Sequence, residues 1–164
     1  MMKINMPKTL TVGIDPAGIG TTGVVIKTFN GLYPQTRTTN ITATNCVDAA
    51  ELIIQFIDGV RYSMEDFILG DVIVEVPHGG AEKLPEVKAT RELVGILKWH
   101  YKSRFKGHLP NHKDKKLLGE LKTKEKTTSH IRDAKAIMDA HFHEDQRHLS
   151  CENYRGGDAR AKNK

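Results

Sequence analysis

Hydrophobic and polar residues alternate along the chain from residue 9. In residues 9–15 (TLTVGID) every second position is apolar, and residues 23–26 are a second apolar group. A period of two is typical of a half-buried strand. Pro16, Gly18 and Gly20, which favour turns, separate the two groups. The pattern therefore predicts two antiparallel strands joined by a short turn, with Asp15 at the end of the first strand.

The period changes further along the chain. Residues 33–41 carry polar side chains on both faces, which predicts an exposed third strand. From Asn45, a candidate cap, apolar residues recur at helical spacing, which predicts a helix that ends before Arg61. Residues 71–77 (DVIVEVP) alternate again, and a strand that follows a helix in this way is typical of a parallel crossover. Glu75 lies near the carboxyl end of this strand, where α/β sheets usually place their sites.

A second helix and a weak fifth strand are predicted next. Pro85 suits a first helical turn, and helical spacing continues to about Ser103. Gly95 inside this helix indicates a close approach to the sheet or to another chain. Residues 105–109 are a weak strand candidate, and residues 111–118 are a candidate short helix.

The last apolar stripe predicts a helix from about His130 to His143. The stripe starts at Asp133, and His130 precedes it by three residues on the same side. An ionisable pair at the head of an apolar stripe is unexpected unless something compensates it. The residues that follow are polar, glycine-containing and basic. We expect one domain over residues 1–145 and a disordered basic tail over residues 146–164.

Composition agrees with one soluble domain. The chain has 164 residues, of which 38% are hydrophobic and 27% charged, enough for a real core. No apolar run approaches membrane-spanning length, and the first residues lack the apolar core of a signal peptide. Cys46 and Cys151 show no metal-ligand or disulfide spacing, so the expected location is a reducing cytoplasm.

Charge suggests a partner without identifying it. The formal net charge is +5, which favours a polyanionic partner. Lysines crowd residues 113–126. A solvated helix face is the alternative interpretation of such a run.

Three acidic residues hold comparable places in the predicted fold: Asp15, Glu75 and Asp133. In a mixed sheet of order 3-2-1-4-5 the first and fourth strands are neighbours, so Asp15 and Glu75 converge. The last helix can then lay Asp133 and His130 against them. Because clustered carboxylates repel one another, the arrangement is typical of a divalent-cation site. A simple turn aspartate is the alternative for Asp15, since Asp-Pro opens many turns.

The motifs around these acids resemble those of RuvC-type Holliday junction resolvases. The resemblance covers residues 9–143 and rests on three segments in order: GIDPAGIGTTGVVI, VIVEVP and HIRDAKAIMDAHF. It implies an α/β, RNase H-like fold with a five-stranded mixed sheet of order 3-2-1-4-5 flanked by helices. It also implies a metal-dependent endodeoxyribonuclease that resolves four-way DNA junctions in recombination and repair, leaving 5′-phosphate and 3′-hydroxyl ends.

The same resemblance assigns residues to roles. The catalytic and metal-binding positions fall on Asp15, Glu75, His130 and Asp133, with two Mg²⁺ or Mn²⁺ ions per site. In bacterial members an aromatic wedge follows the second acid by three residues, and here that position is His78. The segment between residues 119 and 130 is short, as in a compact, phage-type member. The residues expected to contact DNA are His78, Arg91, Lys113, Lys115, Lys116, Lys122 and Lys124.

The resemblance also implies a homodimer, because a four-way junction offers two equivalent scissile strands to two matching sites. The helix over residues 85–103 is the candidate dimer contact. The expected location is the cytoplasm of a bacterium, or of its host if the protein is phage-encoded, with no membrane association.

Other functions remain open. The chain could be another RNase H-like nuclease that cuts RNA/DNA hybrids or branched DNA. It could also be a non-catalytic nucleic-acid-binding module, although the three acids argue against this. The glycine-rich turn after Asp15 could be the phosphate loop of an actin-like sugar kinase, but 164 residues are too few for the two lobes of such a kinase.

Overall fold

The computed structural model describes residues 6–78, 83–110, 120 and 128–155, with the side chains of the last helix described to residue 143. A 3₁₀ turn, Lys102–Arg104, precedes the last strand. The elements follow one another as β1 (Thr9–Asp15), β2 (Gly20–Phe29), β3 (Thr36–Ala43), α1 (Cys46–Ser63), β4 (Ile68–Glu75), α2 (Pro85–Tyr101), β5 (Phe105–His108) and α3 (Ser129–Arg155).

The five strands form one mixed sheet of order β3-β2-β1-β4-β5. β1 pairs antiparallel with β2, and β2 pairs antiparallel with β3. β4 lies parallel to β1, and β5 lies parallel to β4. Parallel neighbours need a long connection, which α1 and α2 provide. The predicted strand order and α/β class are confirmed.

Helices cover both faces of the sheet. The face that carries Leu10, Val12 and Ile14 packs against α1 and α2, and the opposite face packs against α3. Because side chains alternate along a strand, the intervening residues of β1 and β4 face α3. On that face the apolar contacts are made by Val25, Ile73, Ile131, Ala134, Ile137 and Met138.

The start of α1 follows the predicted cap. The backbone N–H of Asp48 donates to Asn45 Oδ1 at 2.8 Å, and Asn45 Nδ2 donates to Asp48 Oδ2 at 2.7 Å. The first of these bonds satisfies a helix N–H that has no partner within the helix, and the second ties the two side chains together. The helix continues past Arg61 to Ser63, slightly beyond the predicted end.

Two glycines bring α3 into backbone contact with the sheet. A Cβ at Gly13 would lie 2.6 Å from the carbonyl oxygen of Ala134, and a Cβ at Gly23 would collide with the backbone of His130. Any larger residue would push the helix away from β1 and β2. The glycines therefore set the height of the first turns of α3 above the end of β1.

Other details differ from the sequence predictions. α3 runs to Arg155, past the predicted end at His143. A Cβ at Gly95 meets no heavy atom within 4 Å beyond its own stretch of helix. Gly95 therefore does not mark a close approach to the sheet, and that part of the prediction is wrong. The predicted helix at residues 111–118 lies outside the described residues, and so do residues 156–164 of the predicted tail. In the described part of the chain, no helix combines the length and hydropathy needed to cross a bilayer.

Candidate metal centre

Asp15 and Glu75 end two neighbouring parallel strands. Ile14 of β1 is paired with Val74 of β4, and the two carboxylates come next on each strand. Both face α3, and Glu75 Oε2 is shielded from solvent. Neighbouring strands lie about 4.8 Å apart, so the strand register places the two acids side by side. This is the convergence that the sequence predicted for them.

The turn after Asp15 is held by hydroxyl groups from two other elements. The backbone N–H of Ala17 donates to Thr22 Oγ1 at 2.8 Å, and this hydroxyl donates to the Ala17 carbonyl oxygen at 3.1 Å. The N–H of Gly18 donates to Thr90 Oγ1 of α2 at 3.1 Å. Thr22 is fully buried. The turn is thus fixed to β2 and to α2, and it holds the backbone beside Asp15 in place.

His130 is in direct contact with Asp15. Its Nδ1 lies 3.0 Å from Asp15 Oδ2. His130 sits in the first turn of α3, where Thr128 precedes the helix and accepts the N–H of Ile131 at 3.4 Å on its hydroxyl oxygen. The Thr128 hydroxyl also donates to Asn40 Oδ1 at 2.9 Å, which ties the start of the helix to β3.

Asp133 lies one turn further along α3 and is half-buried. Within the described ranges, no group of three or more His, Cys, Asp or Glu side chains is already arranged to hold a metal ion. The structure therefore brings Asp15 and His130 into contact, places Glu75 by strand register, and places Asp133 by helical spacing. The assignment of all four to one metal centre remains a prediction.

The donor set fits a divalent cation. His130 Nδ1 and Asp15 Oδ2 lie 3.0 Å apart, at hydrogen-bond distance, so both donors meet at the same point of the sheet edge. Carboxylate oxygens suit Mg²⁺ and Mn²⁺, and an imidazole nitrogen is more compatible with Mn²⁺. A buried carboxylate such as Glu75 is also costly unless a cation or donors compensate it.

The predicted DNA contacts are only partly within the described chain. His78 is exposed three residues beyond the end of β4, and Arg91 is half-exposed on α2. Five predicted contacts lie outside the described residues: Lys113, Lys115, Lys116, Lys122 and Lys124.

Sequence reasoning missed one cluster of polar side chains near Glu75 and α3. His108 of β5, His141 of α3 and Asp71 of β4 form a hydrogen-bonded chain, called the Asp71 network below. His108 Nε2 lies 2.8 Å from His141 Nδ1, and His141 Nε2 lies 3.1 Å from Asp71 Oδ2. The one available signal was that His141 continues the apolar stripe of α3, four residues after Ile137.

Comparison with known proteins agrees with this architecture. No protein-family model matches the sequence, and no curated protein matches it. Among solved structures, Thermus thermophilus RuvC in complex with a Holliday junction substrate has a TM-score of 0.59 and 17% identity to this chain. A second Thermus thermophilus RuvC structure has a TM-score of 0.56 and 19% identity. Each match covers 85% of this chain and 96% of the other chain. At such low identity the likeness establishes the fold alone, and the chain has the RNase H-like fold of these RuvC structures.

Proposed function

We propose that this chain is a metal-dependent endonuclease that resolves four-way DNA junctions, as a step of DNA recombination or repair. The observation that carries the proposal is the meeting of three elements at one edge of the sheet. Asp15 and Glu75 end adjacent parallel strands, and His130 of α3 lies 3.0 Å from Asp15. The RuvC fold supports the junction as the substrate, because one structural neighbour was determined with a Holliday junction.

Asp15, Glu75, His130 and Asp133 would hold two Mg²⁺ or Mn²⁺ ions. When bound, the ions would supply an activated water and would stabilise the leaving oxygen of the phosphodiester. Departure of the 3′ oxygen, which takes up a proton, would give 5′-phosphate and 3′-hydroxyl ends. The protein contributes placement. The hydroxyls of Thr22 and Thr90 hold the Asp15 turn. The backbone contact at Gly23 holds His130 against the sheet.

Basic residues would hold the DNA through its phosphates. Arg91 and the lysines between residues 113 and 126 would neutralise backbone charge without reading sequence. His78, exposed next to the end of β4, would face the junction where bacterial members carry an aromatic wedge. An imidazole can stack on a base, and it also carries polar nitrogens that can contact a phosphate.

Two copies would act on one junction. The outer surface of α2 offers a contact, because Trp99 is 76% exposed and Ile96 is partly exposed. Gly95 leaves open space on the same helix. An interface between copies through this surface would bury apolar area that is exposed in the single chain.

The test separates chemistry from binding. In Asp15→Asn and Glu75→Gln, we expect junction cleavage in Mn²⁺ to fall at least about a hundredfold, because each change removes an anionic ligand worth several kcal/mol. Junction Kd in metal-free buffer should stay within about threefold, less than 1 kcal/mol. Asp66→Asn is the matched control, since this exposed aspartate pairs with Lys8 away from the site.

End-labelled four-way junction, duplex and RNA/DNA hybrid should be compared in the same assay. Full cleavage by Asp15→Asn would contradict the site. Faster cleavage of the hybrid than of the junction would contradict the substrate. Junction binding without any cleavage by the unchanged protein would favour a binding module.

A further inference from the structure

The Asp71 network is a polar chain inside an apolar interface. His108 and His141 are each only 7% exposed. The apolar contacts around them, between α3 and the sheet, are made by aliphatic side chains and by Phe142. Burying polar groups is unfavourable unless they are hydrogen-bonded, and here the rings bond to each other and to Asp71. The network therefore adds directional contacts to an interface that packing alone would hold.

The network adds direction to this packing. The contacts of Ile137 and Met138 depend on distance alone, whereas the bonds of 2.8 and 3.1 Å also lose strength when they are bent. Buried hydrogen-bond networks can rigidify a core and favour one arrangement. The Asp71 network thus adds a constraint on the position and the rotation of α3 relative to β4 and β5.

The carboxylate gives the chain a direction of donation. Asp71 can only accept, so His141 Nε2 carries the hydrogen. In a neutral ring His141 Nδ1 is then the acceptor, and His108 Nε2 must donate to it. Asp71 thereby selects the tautomer of both rings, and His108 Nδ1 becomes an acceptor that is shielded from solvent.

The network ends beside the candidate metal centre. His108 is paired with Glu75 in the register of β4 and β5. The carbonyl oxygen of His108 also accepts the N–H of Val76, the residue after Glu75, at 2.7 Å. At the other end, His141 lies about two helical turns beyond Asp133 on α3. One hydrogen-bonded chain thus links the strand end that carries Glu75 to the helix that carries His130 and Asp133.

We propose that Asp71, His141 and His108 are positioning residues of the metal centre. They hold Glu75 and α3 at the spacing that metal binding requires, and they touch neither metal nor DNA. This inference rests on the proposed function, and it adds three residues to the site. Groups hydrogen-bonded directly to metal ligands are commonly worth about 10- to 100-fold in metal affinity. The Asp71 network acts through the β4–β5 pairing and through α3, so we expect about tenfold, the lower end of that range.

The test uses Asp71→Asn as the first variant, because Asp71 has a side chain that is 39% exposed and the change should leave the fold intact. His141→Gln, which can keep the bond to Asp71 but loses the bond to His108, is the second variant. The matched control is Asp139→Asn. Asp139 is on the same helix, is 37% exposed and pairs with His143 at 3.3 Å, outside the network.

Mn²⁺ affinity is measured by calorimetry on the DNA-free protein. The single-turnover cleavage rate is measured at saturating Mn²⁺, and the junction Kd is measured in metal-free buffer. The Tm of each variant reports its stability. We expect both network variants to weaken Mn²⁺ binding about tenfold or more and to slow cleavage. Junction Kd should remain unchanged, and Asp139→Asn should behave as the unchanged protein. The double variant should bind Mn²⁺ as well as the single variant that has the lower Mn²⁺ affinity, because both changes break the same hydrogen-bonded chain.

A structural role alone would give a different result. If the network variants lower Tm but keep the Mn²⁺ affinity and the cleavage rate, the positioning role is overturned. Nitrogen NMR of the metal-free protein supplies a second readout, since His141 should be protonated at Nε2 and not at Nδ1. The opposite tautomer would also overturn the proposal. Failure of the proposed function would be distinct, because the unchanged protein itself would then cut no junction, whatever its Mn²⁺ affinity.

Discussion

At the scale of one residue, Tyr101 shows how burial can work against a polar group. The side chain is 6% exposed in the core under α1 and α2. Its hydroxyl has no hydrogen-bond partner among the described residues. Burial raises the pKa of the phenol well above its usual value of 10.0, and the charge of Asp58 adds to this effect. A buried hydroxyl of this kind costs about 1–3 kcal/mol in lost hydration.

Removing this hydroxyl should therefore not harm the fold. We expect Tyr101→Phe to raise the free energy of unfolding by up to about 1 kcal/mol in urea denaturation at pH 7. Because the pKa of Tyr101 is raised in the folded state, the unfolded state loses the phenolic proton first as pH rises above 10.0. The free energy of unfolding of the unchanged protein therefore falls in that pH range. The unchanged protein should lose more stability than Tyr101→Phe in that range. Exposed Tyr62 supplies the control Tyr62→Phe, and a loss of stability in Tyr101→Phe alone would contradict the expectation.

At the scale of elements, the contact between α3 and the β1–β2 pair decides the geometry of the site. The contact is close because Gly13 and Gly23 have no side chain where the helix backbone passes. The helix carries His130 and Asp133 in its first turns. Its distance from the sheet therefore controls how near these residues lie to Asp15.

A methyl group at Gly23 tests this contact. We expect Gly23→Ala to destabilise the protein by about 1–3 kcal/mol, because the added Cβ meets helix backbone that cannot move locally. Its Mn²⁺ affinity should also fall, since His130 would be pushed from Asp15. Gly59→Ala is the control, because Gly59 is an exposed residue of α1 and a Cβ there would meet no heavy atom within 4 Å beyond its own stretch of helix. This change should stabilise the protein by about 0.5–1 kcal/mol. Equal stability of Gly23→Ala and the unchanged protein would refute the close contact.

At the scale of the whole molecule, one chain carries one candidate site, whereas a four-way junction has two equivalent strands. A two-fold dimer matches this symmetry. The exposed surface of α2 is available for the contact, because its opposite face is buried against the sheet through Leu93 and Leu97.

Light scattering measures the assembly directly. We expect the unchanged protein to be dimeric at micromolar concentration and Trp99→Glu to be monomeric, because a charge would be placed within the proposed apolar contact. The variant should then cut the two strands of a junction independently. Leu32→Glu is the control, since Leu32 is exposed in the β2–β3 turn away from α2. A monomer that still cuts both strands together would contradict the dimer.

The sequence determined the elements and the faces of this protein because periodicity reports local burial directly. Alternation in β1 and β4 put Asp15 and Glu75 on the same face as α3, and a shift of one residue would have turned both acids toward α1 and α2. The Asn45 cap and the helical stripes followed from the same local rules. The likeness of three motifs to the RuvC family then supplied the strand order, which the sheet confirms.

Only the tertiary structure decided which distant polar groups meet. The bonds between His108 and His141, and between His141 and Asp71, join residues 33 and 70 positions apart. No local pattern encodes such pairs, because they depend on where β5 and α3 cross β4. The same holds for the bond from Gly18 to Thr90. Periodicity places a residue on one face of a strand or helix. The packing of the elements on the sheet determines which residue it contacts, because that contact depends on distances that neighbouring residues in the chain do not control.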